Sequence, residues 1–231
     1  MKKEYAKSLM GKVKQDYSLI AKEFARTRKN PWWEIKFLFD NYLNPEDKVL
    51  DLGCGNGRHV PLFRERIVDY FGIDNSPELI EIAKKTYPKV NFQVGDALNL
   101  PFSDSFFDKA YSIAVFHHIP SKKFRIRFLK EAKRVLKSKG LLILTVWKVH
   151  EFEQLSLLFK YTILKIIGKS KLDWGDVFAP WGKEVERYYH YFSMRELMGL
   201  AKKAGFEIIE SGVARNEAGS HQNIYIVAQK P

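Results

Sequence analysis

"VLDLGCGNGRH", residues 49–59, is the stretch that decides how this chain folds. A short apolar run carries one acid, Asp51, and then gives way to Gly53, Gly55 and Gly57. Apolar runs of this length read as buried strands. Glycines at the strand end let the backbone bend sharply and approach a ligand with no side chain in the way. The spacing is GxGxG, whereas a dinucleotide site needs GxGxxG. Asp51, just ahead of the turn, suits a cationic or amino-bearing cofactor better than a pyrophosphate.

Working outward, "FGIDNS" (71–76) ends a second apolar run in Asp74, 17 positions after Gly57. An acid there can accept two ribose hydroxyls. "QVGDALNLPF" (93–102) puts Asp96 after a third run, where it can accept from an adenine amino group or simply form a turn. Acids at three successive strand ends are far more specific than any one of them.

Apolar runs at 48–52, 68–73, 90–94, 108–115 and 140–147 alternate with helical patterns at 76–86 and 121–137, capped by Ser76 and Ser121. Alternation of this kind predicts an α/β fold with a parallel sheet covered on both faces. Residues 3–28 and 32–42 read as helices ahead of the sheet. The 193–205 helix begins at Ser193, and 206–211 with 223–229 close the sheet as a hairpin. The expected architecture is one Rossmann-like domain over 1–231 with seven mostly parallel strands. It comprises an N-terminal helical cover (1–45), a cofactor-binding core (46–147), an insertion after strand five (148–187) and a C-terminal helix with strands (188–231).

The 231 residues, 45% hydrophobic, suffice for one sizeable core. A single cysteine, Cys54, forms no internal disulfide and suits a reducing cytoplasm. No secretory signal is visible at the N-terminus. The apolar stretch "LSLLFKYTILKII" (155–167) is too short to span a bilayer and contains Lys160 and Lys165. The expectation is an amphipathic helix packed on the domain, without stable membrane insertion. Net charge is +12, with +8 in residues 121–140 and +6 in the first thirty. Such clustering is the footprint of a polyanion partner, or of a solvated basic face.

"SIAVFHHIP" (112–120) places two histidines after strand four. Adjacent side chains on an extended segment diverge, and no Cys or HxxxH cluster accompanies them, so no metal site is expected. His118 is read as lining a pocket, His117 as structural.

These motifs resemble the class I S-adenosylmethionine-dependent methyltransferases from Val49 to Trp147, through "LDLGCGNG", "GIDNSPELIEIAKK", "GDALNLPF" and "VLKSKGLLIL". The resemblance implies S-adenosyl-L-methionine held by Tyr17, Asp51, Gly53, Cys54, Gly55, Asp74, Asn75, Asp96, Ala97, Ser112 and Ile113. A narrower resemblance, through "FARTRKNPWWEI", "SIAVFHHI", "LTVW", "DVFAPWG", "RYYHYF" and, less tightly, "HQNIYIVAQK", is to the methyltransferases that esterify carboxymethylated wobble uridine in tRNA. It implies a tRNA anticodon substrate, a small zinc-binding activator protein as partner, and a cytoplasmic location. It also implies catalytic roles for Arg28, His118, Tyr189 and His190. The acceptor would be a carboxylate, ionised near neutral pH, so no strong base is needed. Arg28 suits that carboxylate, the cofactor's own carboxylate, or solvent. Tyr188, Tyr189, His190 and Trp181 offer faces for a flipped base, or pack the core. The alternatives are a small-molecule O- or C-methyltransferase of quinone or lipid metabolism, and a catalytically silent RNA-binding adaptor.

Overall fold

Asp51 and its apolar neighbours form β1 (Lys48–Leu52), an interior strand of a seven-stranded sheet. The computed structural model describes residues 1–149, 152–182, 185–217 and 222–231. Ahead of β1 lie α1 (Lys3–Thr27), a 3₁₀ turn (Trp33–Ile35) and α2 (Lys36–Tyr42). After it come α3 (Val60–Arg64), β2 (Asp69–Asp74), α4 (Pro77–Thr86), β3 (Asn91–Val94), β4 (Phe107–Ile113), α5 (Lys122–Val135) and β5 (Leu136–Trp147). Then follow α6 (Phe152–Ile166), β6 (Asp176–Trp181), β7 (Val185–His190), α7 (Met194–Lys203), β8 (Glu207–Arg215) and β9 (Gln222–Gln229).

The strand order is β3-β2-β1-β4-β5-β9-β8. The first five strands run parallel, and β9 is antiparallel to both of its neighbours. The chain winds outward from β1 through β2 to β3, then returns to start the other half at β4. This reversal leaves a crevice beyond the carboxyl ends of β1 and β4, where ligands of open α/β sheets bind. The glycine turn after β1 and the histidines after β4 therefore face one another.

Sequence signals explain the helices that cover this sheet. Ser76, Ser121 and Ser193 each accept a backbone N–H three residues on, a cap worth about 1 kcal/mol. On α5 the face built of Phe124, Phe128, Ala132 and Val135 is buried, as its spacing predicts. Phe39, Phe63 and Tyr111 interlock on the opposite side of the sheet, Phe39 stacked on Tyr111 at 4.7 Å.

One expectation for the insertion is corrected, and one element in it was not foreseen: β6 and β7 pair as a separate two-stranded antiparallel sheet. Its anchor is a charge cluster that sequence spacing does not reveal. Asp176 accepts from Arg125 Nη2 and from Tyr188 Oη, and Asp173 N–H reaches its second oxygen. The 155–167 helix exists as α6, yet none of its residues is buried. Phe152, Phe159 and Ile166 face solvent. Only one edge meets the hairpin, Tyr161 against Phe178 at 6.2 Å between ring centroids. Residues 150–151 and 183–184 of the insertion, and His221 of the C-terminal block, lie outside the described residues. No helix among the described residues is long and apolar enough to cross a membrane.

Candidate active site

A cleft opens at the crevice. Tyr17, Asp51, Gly53, Cys54, Gly55, Asp74, Asn75, Asp96, Ala97, Ile113 and His118 all line it. Ser112 does not: it is fully buried on β4 and its Oγ has no partner. The loop conformation explains two glycines. Gly53 has φ of +79° and an added Cβ would lie 2.3 Å from Val115. Gly55 has φ of +55°, a conformation that costs a side-chain-bearing residue free energy. With no side chain there, Gly55 N–H reaches Asp74 Oδ2 at 2.9 Å while Ser76 N–H reaches Oδ1 at 2.9 Å. The Asp74 carboxylate is thus fixed in place with lone pairs still open to the cleft. Burial raises its pKa, and those backbone donors partly offset the rise. Asp51 is more extreme. Burial, reinforced by Asp74 and opposed by the Tyr70 hydroxyl, pushes its carboxyl up to about 7. Asp96 accepts from Leu98 N–H, so it is a turn residue that also faces the cleft.

A second cavity adjoins the first, sharing Tyr17, Phe24, Arg58 and Ala114 with it. Its lining includes Arg26, Arg28, Lys29, Arg58, Lys148 and Arg187, and no acid among the described residues. Arg28 and Arg187 flank one ring, Trp181, at 4.2 and 4.1 Å from its centroid. Arg58 lies 4.3 Å over Trp32. None of these three arginines forms an ion pair with a described residue. Burial and the neighbouring Arg28 bring the Arg58 guanidinium down to about 10.

Between the two cavities runs a hydrogen-bonded relay. His118 Nδ1 faces the Tyr188 carbonyl at 3.0 Å, so it carries the proton and donates. His118 Nε2 then accepts from Tyr17 Oη at 2.8 Å, and that oxygen accepts from Arg187 Nη1 at 3.2 Å. Burial, with Arg187 nearby, drives the His118 pKa down to about 3. The imidazole is neutral and its lone pair is in use. His117 is likewise buried and neutral, wedged against Trp147.

The remaining candidates divide. Tyr189 is buried behind the second cavity, stacked on Trp147 at 4.9 Å, with its hydroxyl unpartnered. His190 lines neither cavity: its two ring nitrogens face Asp176 and Glu196. Tyr188 is fully buried in the same cluster, whereas Trp181 lines the cavity. Sequence reasoning missed Arg58, His59, Asn56, Arg187 and Asn223. All five lie within stretches quoted above, Asn56, Arg58 and His59 in or beside the glycine loop, yet no local signal assigned them a role. The basic run 121–140 is also largely spent within the fold. Arg125 binds Asp176, Arg127 the Leu98 carbonyl, Lys133 the Gly205 carbonyl, Arg134 Asp104 and Glu131, and Lys137 Asp108.

Comparison with known proteins settles the family. Residues 50–144 match the family model described as a methyltransferase domain. A protein of Encephalitozoon cuniculi named as a methyltransferase is 34% identical over 204 residues, covering 87% of this chain and 89% of its own length. The chain belongs to the class I S-adenosylmethionine-dependent methyltransferases. The tRNA (carboxymethyluridine(34)-5-O)-methyltransferase of Schizosaccharomyces pombe is 29% identical, with 94% of this chain and 96% of that protein covered. The Arabidopsis thaliana protein of the same name is 33% identical over 80% of this chain, which spans 44% of that relative. A SAM-dependent methyltransferase from Methanosarcina mazei superposes with a TM-score of 0.72 at 28% identity, covering 87% of this chain and 98% of its own.

The residues of this methyltransferase fit S-adenosylmethionine. Asp74 offers fixed carboxylate oxygens for ribose hydroxyls. Asp51, costly to ionise alone, suits a cationic neighbour. Asn56 Oδ1 and His59 Nε2 are buried, have no hydrogen-bond partner among the described residues and belong to residues lining the cleft, so polar ends of a cofactor would satisfy them.

Proposed function

We propose that this methyltransferase acts on tRNA and esterifies a 5-carboxymethyl group on wobble uridine. The observation that carries this reading is the second cavity, whose lining among the described residues has six cations, five aromatic side chains and no acid. A carboxylate on a nucleobase needs both features, charge for the acid and flat faces for the base. The names of the Schizosaccharomyces pombe and Arabidopsis relatives support the same substrate.

The chemistry follows from the side chains. When bound, the cofactor supplies an electrophilic methyl group on a sulfonium. Arg28 and Arg187 hold the acceptor carboxylate through charge-assisted hydrogen bonds. Trp147 and Trp181 offer stacking faces to a base swung out of its strand. The aromatic wall excludes water, which strengthens these charge interactions. No proton needs to leave a carboxylate, and His118, neutral and occupied by Tyr17, is a positioning residue that holds Tyr17 between the cavities. Tyr189 backs the same wall. His190 acts through Asp176, keeping the β6–β7 hairpin and its Arg187 and Trp181 in register. A small zinc-binding activator subunit belongs to the same reading; a fold neighbour from Haloferax volcanii, 18% identical, stands in a complex with the Trm112 methyltransferase activator.

The test is nucleoside mass spectrometry of tRNA incubated with enzyme and S-adenosylmethionine. A methyl ester of carboxymethyluridine, released as methanol by mild alkali, is the expected product. Alkali-stable label in the nucleoside sinks the ester. The exposed apolar face of α6, whose Gln154 lines the cavity, favours a second reading as a small-molecule methyltransferase. RNA-independent methylation of an apolar acid would establish that instead.

A further inference from the structure

The wall of the second cavity holds polar atoms that the fold leaves unused. Trp147 ends β5 and stands opposite Asn223 in the ladder with β9. Asn223 is 1% exposed, yet it lines the cavity, and its Oδ1 has no hydrogen-bond partner among the described residues. Arg187 lines the same wall at 6% exposure, and its Nε is also without a partner, although its Nη1 reaches Tyr17. An apolar residue at position 223 would stand beside Trp147 and Ala214 in the ladder with no such penalty. Buried polar groups without partners are rare and call for a ligand or a reason.

We infer that Asn223 and Arg187 Nε form a base-reading subsite for the imide edge of uracil, which rests on the reading of this cavity as the seat of a carboxymethylated nucleobase. The chemistry selects the base. A carboxamide presents one acceptor and one donor in a plane. Uracil presents N3–H beside the C4 carbonyl, the complementary pair. An asparagine alone does not separate uracil from cytosine, because its amide can turn over. Arg187 removes that ambiguity. Its Nε is donor-only, so it donates to a carbonyl oxygen at C4 and repels the amino group that cytosine carries there. The C4 carbonyl is also next to C5, which bears the carboxymethyl arm. One guanidinium can therefore meet the arm with its terminal nitrogens and the carbonyl with Nε.

The experiment compares methyl transfer to three anticodon stem-loop RNAs. They carry 5-carboxymethyluridine, its N3-methyl derivative or 5-carboxymethylcytidine at one position. Wild-type enzyme is expected to favour the first over both others by at least about 30-fold in kcat/KM, as sites built around a substrate N–H do. In Asn223→Ala the preference over the N3-methyl RNA should fall to within about threefold, as expected once the acceptor that reads N3–H is gone. Calorimetric cofactor binding and the melting temperature report whether that variant is folded. Equal wild-type rates on the uridine and its N3-methyl form overturn the subsite and leave the esterification reading intact. Full discrimination retained by a folded Asn223→Ala does the same. No transfer to any of the three RNAs overturns the esterification reading itself, and the subsite with it.

Discussion

Asp51 is built to be uncomfortable when nothing positive stands beside it. Replacing it by Asn keeps an oxygen for the Tyr70 hydroxyl, 2.8 Å away, and removes the titratable proton. The carboxyl is 3% exposed, and its pKa is raised from 3.8 to about 7, chiefly by burial. Each tenfold step in that constant corresponds to about 1.4 kcal/mol, so the charged form costs the empty fold up to about 4 kcal/mol. The sign follows from proton counting. Between pH 4 and 7 the folded state holds the proton more tightly than the unfolded state, so wild-type stability falls as pH rises through that window and levels off above it. Asp51→Asn escapes the loss. Urea denaturation of the cofactor-free proteins should find the variant about 4 kcal/mol more stable at pH 8, and within about 1 kcal/mol of wild type at pH 4. Taking the difference between the two proteins cancels the titration of every other group. The same variant should bind S-adenosylmethionine more weakly, because a neutral amide no longer attracts its cationic groups. A stability gap that does not change between pH 4 and pH 8 would refute the account of Asp51.

Other consequences are independent of that one. Asp74→Ala should weaken S-adenosylmethionine binding by about 1.5–3 kcal/mol, the range for hydrogen bonds to a charged group, as read by calorimetry; unchanged affinity removes Asp74 from the cofactor site. At saturating cofactor, Arg28→Ala or Arg187→Ala should each lower kcat/KM for RNA about a hundredfold, whereas His118→Asn should cost about tenfold. Because His118 is neutral down to about pH 3, its loss should leave the pH profile unchanged, and a limb near neutrality that disappears in His118→Asn would make it a general base after all. RNA affinity should fall steeply with salt, about 0.7–0.9 in log–log slope per phosphate neutralised. Lys29→Gln at the cavity rim should reduce that slope by about one, and Lys137→Gln, already paired with Asp108, should leave it alone.

What the chain reveals in advance is what is local. The glycine turn, the acids at strand ends and the serine caps are short-range signals, and Asp51, Asp74 and Asp96 meet in one cleft because parallel strands point their carboxyl ends the same way. The acceptor side is assembled from distant segments and was read less well. Arg187 reaches Tyr17 across 170 positions. The hairpin that carries it hides behind Gly175, Pro180 and Gly182, residues that signal turns. Its stability comes from Arg125, 51 positions before Asp176, so no window of sequence contains both halves of the pair. Charge counting along 121–140 overstates the free charge for a related reason: Arg125, Arg127, Lys133, Arg134 and Lys137 are held within the fold. A run of cations looks free until the carbonyls and carboxylates that it meets are known. On α6 the period of the apolar stripe was legible, but periodicity says which residues share a face and not whether anything covers that face.

The unpaired arginines around Trp181 have a bearing on turnover. If the acceptor is the carboxylate proposed above, it loses its negative charge in the step being catalysed, since an ester is neutral. Arg28 and Arg187, both against the Trp181 ring, then have no substrate charge to hold and act on each other as like charges. Their mutual repulsion favours the entry of solvent and counter-ions over retention of the ester. Affinity for the acceptor is thus cancelled by its own conversion, so a modified RNA competes poorly with an unmodified one. Reverse transfer, which would have to start from the neutral form, finds no foothold.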